Sequence, residues 1–457
     1  MSSYLNSQPP PPPPPKAGGV PPPPPPSSTS ELASNDSATP SARTKPGHRH
    51  KQSIHYNDAP DLAMLAEASA GTGGGGVSRS RSKTNNRASR VPALGSIPAT
   101  ESSTPSTSGA TTPFATRGSA TDADLALPAF NVPPPPPPLP ISSIRTGPRS
   151  LPYDITHFPP PSLTIKLVLV FIPGNPGLVS YYDSFLTTLQ SSLPNEIKET
   201  TEIYAVGHLG HSLKGEKEGM VKGFKPSQQA SLEEQVESKI EFVDELKGKY
   251  GDDVKIMVMG HSIGSWVCLQ MLKQRPNLIS SAHLLFPTIS SMTLTPNGRK
   301  LSPLFSSWTL RPLFYSTSFF SYLPTSLIST LVSLLTGQSG PGSTTTTQLV
   351  SSPQTVVAAL TMAAKEMEGV KELDRELVKE VGGKCWWYWA EEGKDGWVRE
   401  ESIEEIEEVL GDGEEMRRKR ERCKEGMPHA FVLNEDHTSS LAKTCAGWIV
   451  KDLESTK

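Results

Sequence analysis

Two segments of the chain carry residue types that could perform nucleophilic catalysis. The segment VKIMVMGHSIGSW fits a G-x-S-x-G pattern around Ser262, with an apolar strand-like run before it and an apolar helix-like run after it. That context predicts a sharp strand-to-helix turn whose serine is exposed as a nucleophile. The serine needs a base to take its proton. The segment GMPHAFVLNEDHTSS offers two candidates, His429 and His437.

The position of the last helix separates the two histidines. A base for Ser262 must lie on a loop between the last strand and the last helix. An apolar stripe of period 3.6 indicates that helix, and residues 434–436 (Asn-Glu-Asp) suit its start. His437 then falls in the first helical turn, whereas His429 lies on the preceding loop. We predict His429 as the base and His437 as a surface or helix-start residue.

The acid that orients the base is expected after a strand that follows the serine. The segment CWWYWAEEGKDGWV ends such a strand with three carboxylates, Glu391, Glu392 and Asp395. Asp395 lies between two glycines where the chain leaves the strand, so its side chain can turn toward the histidine. The two glutamates are closer to the strand and could equally be solvated charges. We predict Asp395 as the acid.

An oxyanion hole needs two backbone N–H donors, one from the residue after the nucleophile and one from the loop after the first long strand. Ile263 supplies the first donor. The second loop reads PGNPG, in which Pro173 and Pro176 have no N–H. Asn175 is therefore the predicted second donor, and Gly174 would let the backbone approach. The alternative interpretation is a simple Pro-Gly turn. This chemistry requires no cofactor.

Alternating strand and helix patterns from residue 151 onward predict a mostly parallel sheet with helices on both faces. LTIKLVLVFIP is the first long strand, and SLEEQVESKIEFVDELKGKYG is a helix that begins with a capping box of Ser231 and Glu234. A helix around residues 406–420 and a short strand in MPHAFVL precede the last helix. Between residues 288 and 370 the alternation stops, and an apolar, proline-interrupted stretch predicts a cap over the sheet.

The first 150 residues have a different composition. They contain most of the 46 prolines, including polyproline runs at residues 9–15, 21–26 and 133–138, with Gly, Ser and Thr between them. Such a chain cannot bury enough apolar surface to offset its conformational entropy, so we predict a disordered extension before a folded domain at residues 151–457. The polyproline runs could bind a polyproline-binding module. A spacer without a partner is the alternative.

Charge and cysteine usage limit the possible functions. The net charge is −3, which gives no support for nucleic-acid binding. The four cysteines have no metal-ligand spacing, and the H-x-x-H pair of His208 and His211 has no third ligand, so we expect no metal site and a structural or pocket-lining role for this pair. The sequence shows no signal-peptide pattern and no run of eighteen apolar residues, which favours an intracellular protein without a plain transmembrane helix.

Several of these segments together resemble a known family. FIPGNPG, YYDSFL, GHLGHS, GHSIGSW, KDGWV and PHAFVL are similar to the lipid droplet-associated hydrolase family of the α/β-hydrolase superfamily. The resemblance extends from Leu163 to the C-terminus. It implies an α/β-hydrolase fold with Ser262, Asp395 and His429 in the positions of the family's triad. The N-terminal extension and the STTTTQ stretch depart from the family pattern.

The resemblance implies a carboxylic ester hydrolase that acts on lipid esters, of sterol ester or acylglycerol type. It also implies a location at lipid droplets and on the cytosolic face of the endoplasmic reticulum membrane, as a peripheral or monotopic protein. The apolar cap would bury the acyl or sterol chain and could contact a lipid monolayer, or it could pack only on its own protein. Two other functions stay open: an acyltransferase or small-ester esterase with the same triad, and a non-catalytic lipid-droplet surface protein.

Overall fold

The computed structural model describes residues 138–455, which fold around one eight-stranded sheet. The strands are β1 (Ile141–Thr146), β2 (Pro152–Phe158), β3 (Leu167–Ile172), β4 (Thr201–Val206), β5 (Lys255–His261), β6 (Ile279–Leu285), β7 (Cys385–Trp389) and β8 (Arg420–Arg422). Their spatial order is β1-β2-β4-β3-β5-β6-β7-β8. Both ladders of β2 are antiparallel, and every ladder from β4 to β8 is parallel. The carboxyl ends of β3 and of β5 to β7 therefore meet at one edge.

The helices connect these strands and cover the sheet. They are α1 (Asp183–Ser192), α2 (Asn195–Lys198), α3 (Leu213–Lys217), α4 (Leu232–Tyr250), α5 (Ile263–Gln274), α6 (Pro296–Leu301), α7 (Ser307–Phe320), α8 (Thr325–Thr336), α9 (Gly340–Val350), α10 (Pro353–Gly369), α11 (Arg375–Val381), α12 (Glu400–Leu410), α13 (Glu414–Arg418) and α14 (Glu435–Glu454). None of the helices in this described part of the chain is long and apolar enough to cross a membrane.

The strand β3 shows why the sheet is buried on both faces. Its sequence LVLVFI is apolar at every position, and each of its residues is buried. Val168 and Val170 point to a core shared with α4 and α5, whereas Leu169 and Phe171 point to a second core shared with α1 and α14. Successive side chains of a strand alternate between faces, so one apolar run supplies both cores. The predicted parallel sheet with helices on both faces is confirmed.

The capping box predicted for the long helix is present in α4. The Ser231 hydroxyl accepts a hydrogen bond from the Glu234 backbone N–H, and the Glu234 carboxylate accepts one from the Ser231 backbone N–H. The helix ends at Gly251, whose φ of 81° lies in the left-handed region that favours glycine. The local sequence therefore defines both ends of this element.

Two expectations for the C-terminal part were wrong. The segment MPHAFVL forms no strand; its last residues, Phe431–Leu433, form a single 3-10 turn. The strand that completes the sheet is β8, which a charged RER sequence without apolar alternation did not reveal. The single helix expected around residues 406–420 is two helices, because α12 ends at Leu410, directly before Gly411, and α13 begins after Gly413. Glycine at these positions interrupts the helix.

The segment between β6 and β7 carries five helices, α6 to α10, within residues 288–370; we refer to these residues as the cap. Helix α10 is its most buried element and packs against α7 in a third apolar core. Helix α8 buries only Ile328 and Val332. At the other end of the described region, β1 begins before the predicted domain start at residue 151. Disorder was predicted for residues 1–150, which is wrong for residues 141–150, because these form β1 and a 3-10 turn. Residues 1–137 lie outside the described residues, so the polyproline-binding role stays a prediction.

Candidate active site

Ser262 occupies a strained turn between β5 and α5. Its backbone has φ 55° and ψ −124°, a region that residues with a side chain rarely adopt. The two flanking glycines make the turn possible. A Cβ atom on Gly260 would lie 2.3 Å from the carbonyl oxygen of Gly264, and a Cβ on Gly264 would lie 2.3 Å from that of Ile172. The pattern G-x-S-x-G is therefore required by backbone packing at this turn.

The structure brings the three predicted triad side chains into contact. His429 Nε2 lies 2.9 Å from Ser262 Oγ, and His429 Nδ1 lies 2.9 Å from Asp395 Oδ2. Asp395 and His429 are buried, and Ser262 is partly exposed to a cavity. Because the carboxylate accepts, Nδ1–H donates to Asp395, and Nε2 is the nitrogen that can accept the serine proton. This is the geometry that nucleophilic catalysis by serine needs.

The surroundings of Asp395 explain why this carboxylate, and not its neighbours, reaches the histidine. Its second oxygen, Oδ1, accepts hydrogen bonds from the backbone N–H groups of Trp397 at 2.7 Å and Val398 at 3.1 Å. These bonds turn the side chain inward. Glu391 and Glu392 are exposed, as solvated charges would be. The turn after β7 therefore places Asp395, and not the two glutamates, beside His429.

His437 is not part of this arrangement. It lies in the first turn of α14, and its backbone N–H is capped by the side-chain oxygen of Asn434 at 3.1 Å. The predicted helix start is confirmed. His429 lies on the loop before this helix, which is where a base for Ser262 was expected.

The two predicted oxyanion donors lie on two different elements next to the serine. Ile263 is the first residue of α5, so its N–H has no acceptor within the helix. Asn175 lies on the loop after β3 and lines the same cavity as Ser262. At the neighbouring Gly174, a Cβ would lie 2.8 Å from Ser262 Cβ, which shows how closely this loop approaches the nucleophile. A glycine is needed for that approach.

His208 and His211 form hydrogen bonds with the backbone of this loop. His208 Nε2 donates to the Pro173 carbonyl oxygen at 2.9 Å, and His211 Nδ1 donates to the Pro176 carbonyl oxygen at 2.6 Å. Burial lowers the pKa of both rings, that of His211 to about 4, so both are neutral near pH 7. A Cβ on Gly177 would collide with both rings. Of the roles predicted for this pair, the structural one fits these contacts, and neither ring lines the cavity.

A cavity of about 490 Å³ opens above Ser262 and His429. Most of its lining is apolar and comes from the cap, including Phe320, Ile328, Leu331, Val332, Leu335 and Leu349. Its volume lies in the range of small-molecule binding sites. A buried carboxyl, Glu366 of α10, also lines it, and burial raises the pKa of this group to about 7. The cavity therefore suits a mainly apolar ligand with one reactive polar group.

Four residues near Ser262 were not identified from the sequence. Tyr182 and His261 are joined by a hydrogen bond of 2.7 Å, Thr288 Oγ1 lies 3.4 Å from Ser262 Oγ, and Glu366 binds the Asn175 side chain. Of these four, only His261 could have been identified from the sequence as a neighbour of Ser262, because it directly precedes the serine. The others come from parts of the chain distant from residue 262, and no local pattern places them there.

The order of the strands, the strained turn after β5 and the three side chains at the carboxyl edge define an α/β-hydrolase. A family model described as lipid-droplet associated hydrolase matches residues 165–432. The chain therefore belongs to the lipid droplet-associated hydrolase family, and the resemblance inferred from the sequence motifs is confirmed.

Individual proteins show the same relationship. The lipid droplet-associated hydrolase of Gallus gallus is 30% identical over 63% of this chain and 86% of its own length. The Homo sapiens protein is 30% identical over 59% of this chain and 81% of its own length. Among solved structures, a peroxisomal alpha-beta-hydrolase of Saccharomyces cerevisiae has a TM-score of 0.48 and 12% identity, over 70% of this chain and 90% of that chain. The fold assignment depends on the sheet topology and not on that last likeness.

Proposed function

We propose that this protein is a serine hydrolase of lipid esters, of sterol ester or acylglycerol type, that acts at the surface of lipid droplets or of the endoplasmic reticulum. The observation that carries the proposal is the continuous contact from Ser262 through His429 to Asp395 at the floor of an apolar cavity. The names of the relatives, which are lipid droplet-associated hydrolases, support the lipid surface as the site of action.

In the proposed reaction, His429 Nε2 takes the Ser262 proton as Oγ attacks the ester carbonyl. The carbonyl oxygen becomes an oxyanion and accepts hydrogen bonds from the Ile263 and Asn175 amides. Asp395 stabilises the imidazolium and fixes its tautomer. His429 then gives the proton to the leaving alcohol, which leaves an acyl-serine. Water, deprotonated by the same histidine, attacks the acyl carbon. The imidazolium then returns this proton to Ser262 Oγ as the acyl–oxygen bond breaks, and the carboxylic acid is released.

The proposed lipid contact depends on the outer face of the cap. Eight large apolar side chains of α7, α8 and the loop between them are exposed: Trp308, Tyr315, Phe319, Tyr322, Leu327, Leu331, Leu334 and Leu335. Helix α8 contains no charged residue. Leu331 and Leu335 are exposed and also line the cavity. Apolar exposure on this scale is typical of a surface that binds protein or membrane, and here it is continuous with the cavity above Ser262.

The proposal is tested by active-site labelling. A fluorophosphonate probe should label the full chain, and Ser262→Ala should abolish both labelling and ester hydrolysis, lowering kcat by about four orders of magnitude or more. Ser280→Ala, which removes a hydroxyl at an exposed position near the start of β6, is the matched control and should label as the native chain does. The same two variants are then compared for turnover of a lipid extract.

The alternative functions give different outcomes in this experiment. Labelling with faster release of the acyl group to an added alcohol than to water would indicate an acyltransferase. Turnover of short esters only would indicate a small-ester esterase. A native chain that the probe does not label would contradict the proposal and leave a non-catalytic droplet-surface protein.

A further inference from the structure

A chain of buried hydrogen bonds next to Ser262 connects two loops. One is the loop after β3 that carries Asn175, which we call the oxyanion loop, and the other is the loop that carries His429. The Gly174 backbone N–H donates to Tyr182 Oη at 3.0 Å, and Tyr182 Oη lies 2.7 Å from His261 Nδ1. His261 Nε2 lies 3.0 Å from the carbonyl oxygen of His429. One end of this chain is Gly174, on the loop that approaches Ser262, and the other end is His429, whose ring contacts the Ser262 hydroxyl.

The acceptor at the last contact fixes the direction of every bond in the chain. The His429 carbonyl oxygen can only accept, so His261 Nε2 carries the hydrogen. Burial lowers the pKa of His261 well below its usual range, so the ring is neutral and Nδ1 accepts. The Tyr182 hydroxyl therefore donates to Nδ1, and its oxygen accepts from Gly174. Tyr182 and His261 are 4% and 5% exposed, which leaves water little access to either.

We propose that Tyr182 and His261 are positioning residues that set the distance between the oxyanion loop and the catalytic base. Tyr182 holds Gly174, the residue before the predicted oxyanion donor Asn175. His261 holds the backbone of His429, whose ring takes the serine proton. The pair thus connects the two halves of the reaction machinery through the residue next to Ser262. This inference rests on the proposed serine chemistry.

Packing alone does not explain the tyrosine hydroxyl. The Tyr182 ring contacts Phe171 and Phe431, with ring centroids 4.6 Å and 6.4 Å apart, and a phenylalanine would keep these contacts. The hydroxyl adds two hydrogen bonds, to Gly174 and to His261, at a buried position. Burying a hydroxyl costs free energy unless it is hydrogen-bonded. The bonds to Gly174 and His261 therefore explain why a tyrosine is tolerated at this buried position.

The first test removes only the hydroxyl. In the full chain, Tyr182→Phe should lower kcat for a soluble p-nitrophenyl ester and the rate of fluorophosphonate labelling about ten-fold, with KM changed less than about two-fold. Tyr204→Phe is the matched control, because it removes a buried hydroxyl that is bonded to Glu202 at 2.9 Å and lies on β4 away from the cavity. Equal kcat in the two variants would overturn the proposal.

The second test asks whether the tyrosine acts through the histidine. In a His261→Leu background, adding Tyr182→Phe should lower kcat by less than about three-fold, because the chain is already broken. His261→Gln, which retains a donor and an acceptor, should recover part of the activity lost in His261→Leu. Fully additive effects, or equal losses in the leucine and glutamine variants, would show that the two residues act separately.

The third test does not depend on activity. Nitrogen NMR of ¹⁵N-histidine-labelled full chain should show His261 as the neutral Nε2–H tautomer near pH 7, and Tyr182→Phe should shift its Nδ1 resonance. An Nδ1–H tautomer or a charged ring would overturn the proposal. Absence of probe labelling in the native chain would contradict the proposed function alone, and the NMR result would then decide on the hydrogen-bond chain.

Discussion

Asn175 Nδ2 donates to Glu366 Oε1 over 2.9 Å, and this bond joins the oxyanion loop to the cap helix α10. The same amide also donates to the Ala359 carbonyl oxygen, on the same helix, at 2.9 Å. The cap that forms most of the cavity wall therefore holds the residue proposed to stabilise the oxyanion. A displacement of α10 would move the donor as well as the wall, so substrate fit and transition-state stabilisation are linked.

This bond gives a stability prediction for Glu366→Gln. Burial raises the pKa of Glu366 from 4.5 to about 7, so the folded state keeps its proton where the unfolded state has lost it. The free energy of unfolding must then fall between about pH 4.5 and pH 7, by roughly 3 kcal/mol. Glutamine can still accept from Asn175 but cannot ionise, so the variant should lack this loss.

The measurement is urea unfolding of the native chain and the variant at about pH 5 and about pH 8, with the difference between them as the result. Glu368→Gln, at an exposed position of the same helix, is the control. The same pH dependence in all three proteins would contradict the prediction.

A second prediction concerns the choice of acid. Asp395→Asn replaces the oxygen that accepts from His429 Nδ1, so the histidine loses its orientation and its preferred tautomer. We expect a fall in kcat of about 10³ to 10⁴, with little change in thermal stability. Glu392→Gln, on the same turn but exposed, should keep kcat within about two-fold. A comparable loss in the glutamate variant would show that Asp395 is not the acid.

A third prediction concerns the turn that carries the nucleophile. Gly264→Ala places a Cβ about 2.3 Å from the Ile172 carbonyl oxygen, a backbone atom that cannot move aside without shifting β3. The variant should lose several kcal/mol of unfolding free energy, or fail to fold. Gly248→Ala, in α4 with open space around it, should gain about 0.5 to 1 kcal/mol. Thermal unfolding compares the two, and a stable, fully active Gly264→Ala would disprove the packing argument.

A fourth prediction concerns lipid binding. Tyr322 and Leu334 are 86% and 75% exposed. The double variant Tyr322→Glu, Leu334→Glu should reduce flotation of the protein with phosphatidylcholine-coated triolein droplets at least about ten-fold. Hydrolysis of a soluble short-chain ester should be unchanged within about two-fold, since neither residue lines the cavity. Leu163→Glu, at a fully exposed position before β3, is the control for added charge. Undiminished flotation of the double variant would contradict the proposed lipid contact by the outer face of the cap.

The sequence was informative wherever the chemistry depends on local backbone geometry. The apolar run into Ser262, the glycines around it and the Asn434 N-cap of α14 can each be recognised in a few consecutive residues, so the turn at Ser262 and the position of His429 could be inferred from short segments. The capping box of α4 is a further example of the same kind. In each case the signal lies within a few consecutive residues, although Gly264 is also constrained by the distant Ile172 carbonyl oxygen.

The elements that were missed depend on distant contacts. The segment RER is a strand, β8, because its backbone pairs with that of β7. Its sequence has no apolar pattern that would predict a strand. The bond between Tyr182 and His261 spans 79 residues, and the bond between Asn175 and Glu366 spans 191. No pattern within either segment reports such a pairing. The site that supports the triad therefore becomes visible only in the folded chain.

The absence of charge on α8 affects how the protein must be handled. We expect hydrocarbon tails of detergents to adsorb to this helix in the same way as the proposed lipid surface, because the hydrophobic effect is not specific for head groups. Leu331 and Leu335 belong to the same helix and line the cavity, so an adsorbed micelle would also obstruct the entrance. We therefore expect detergent emulsions to lower the rate of the proposed hydrolysis, and concentrated stocks without amphiphiles to self-associate through this surface.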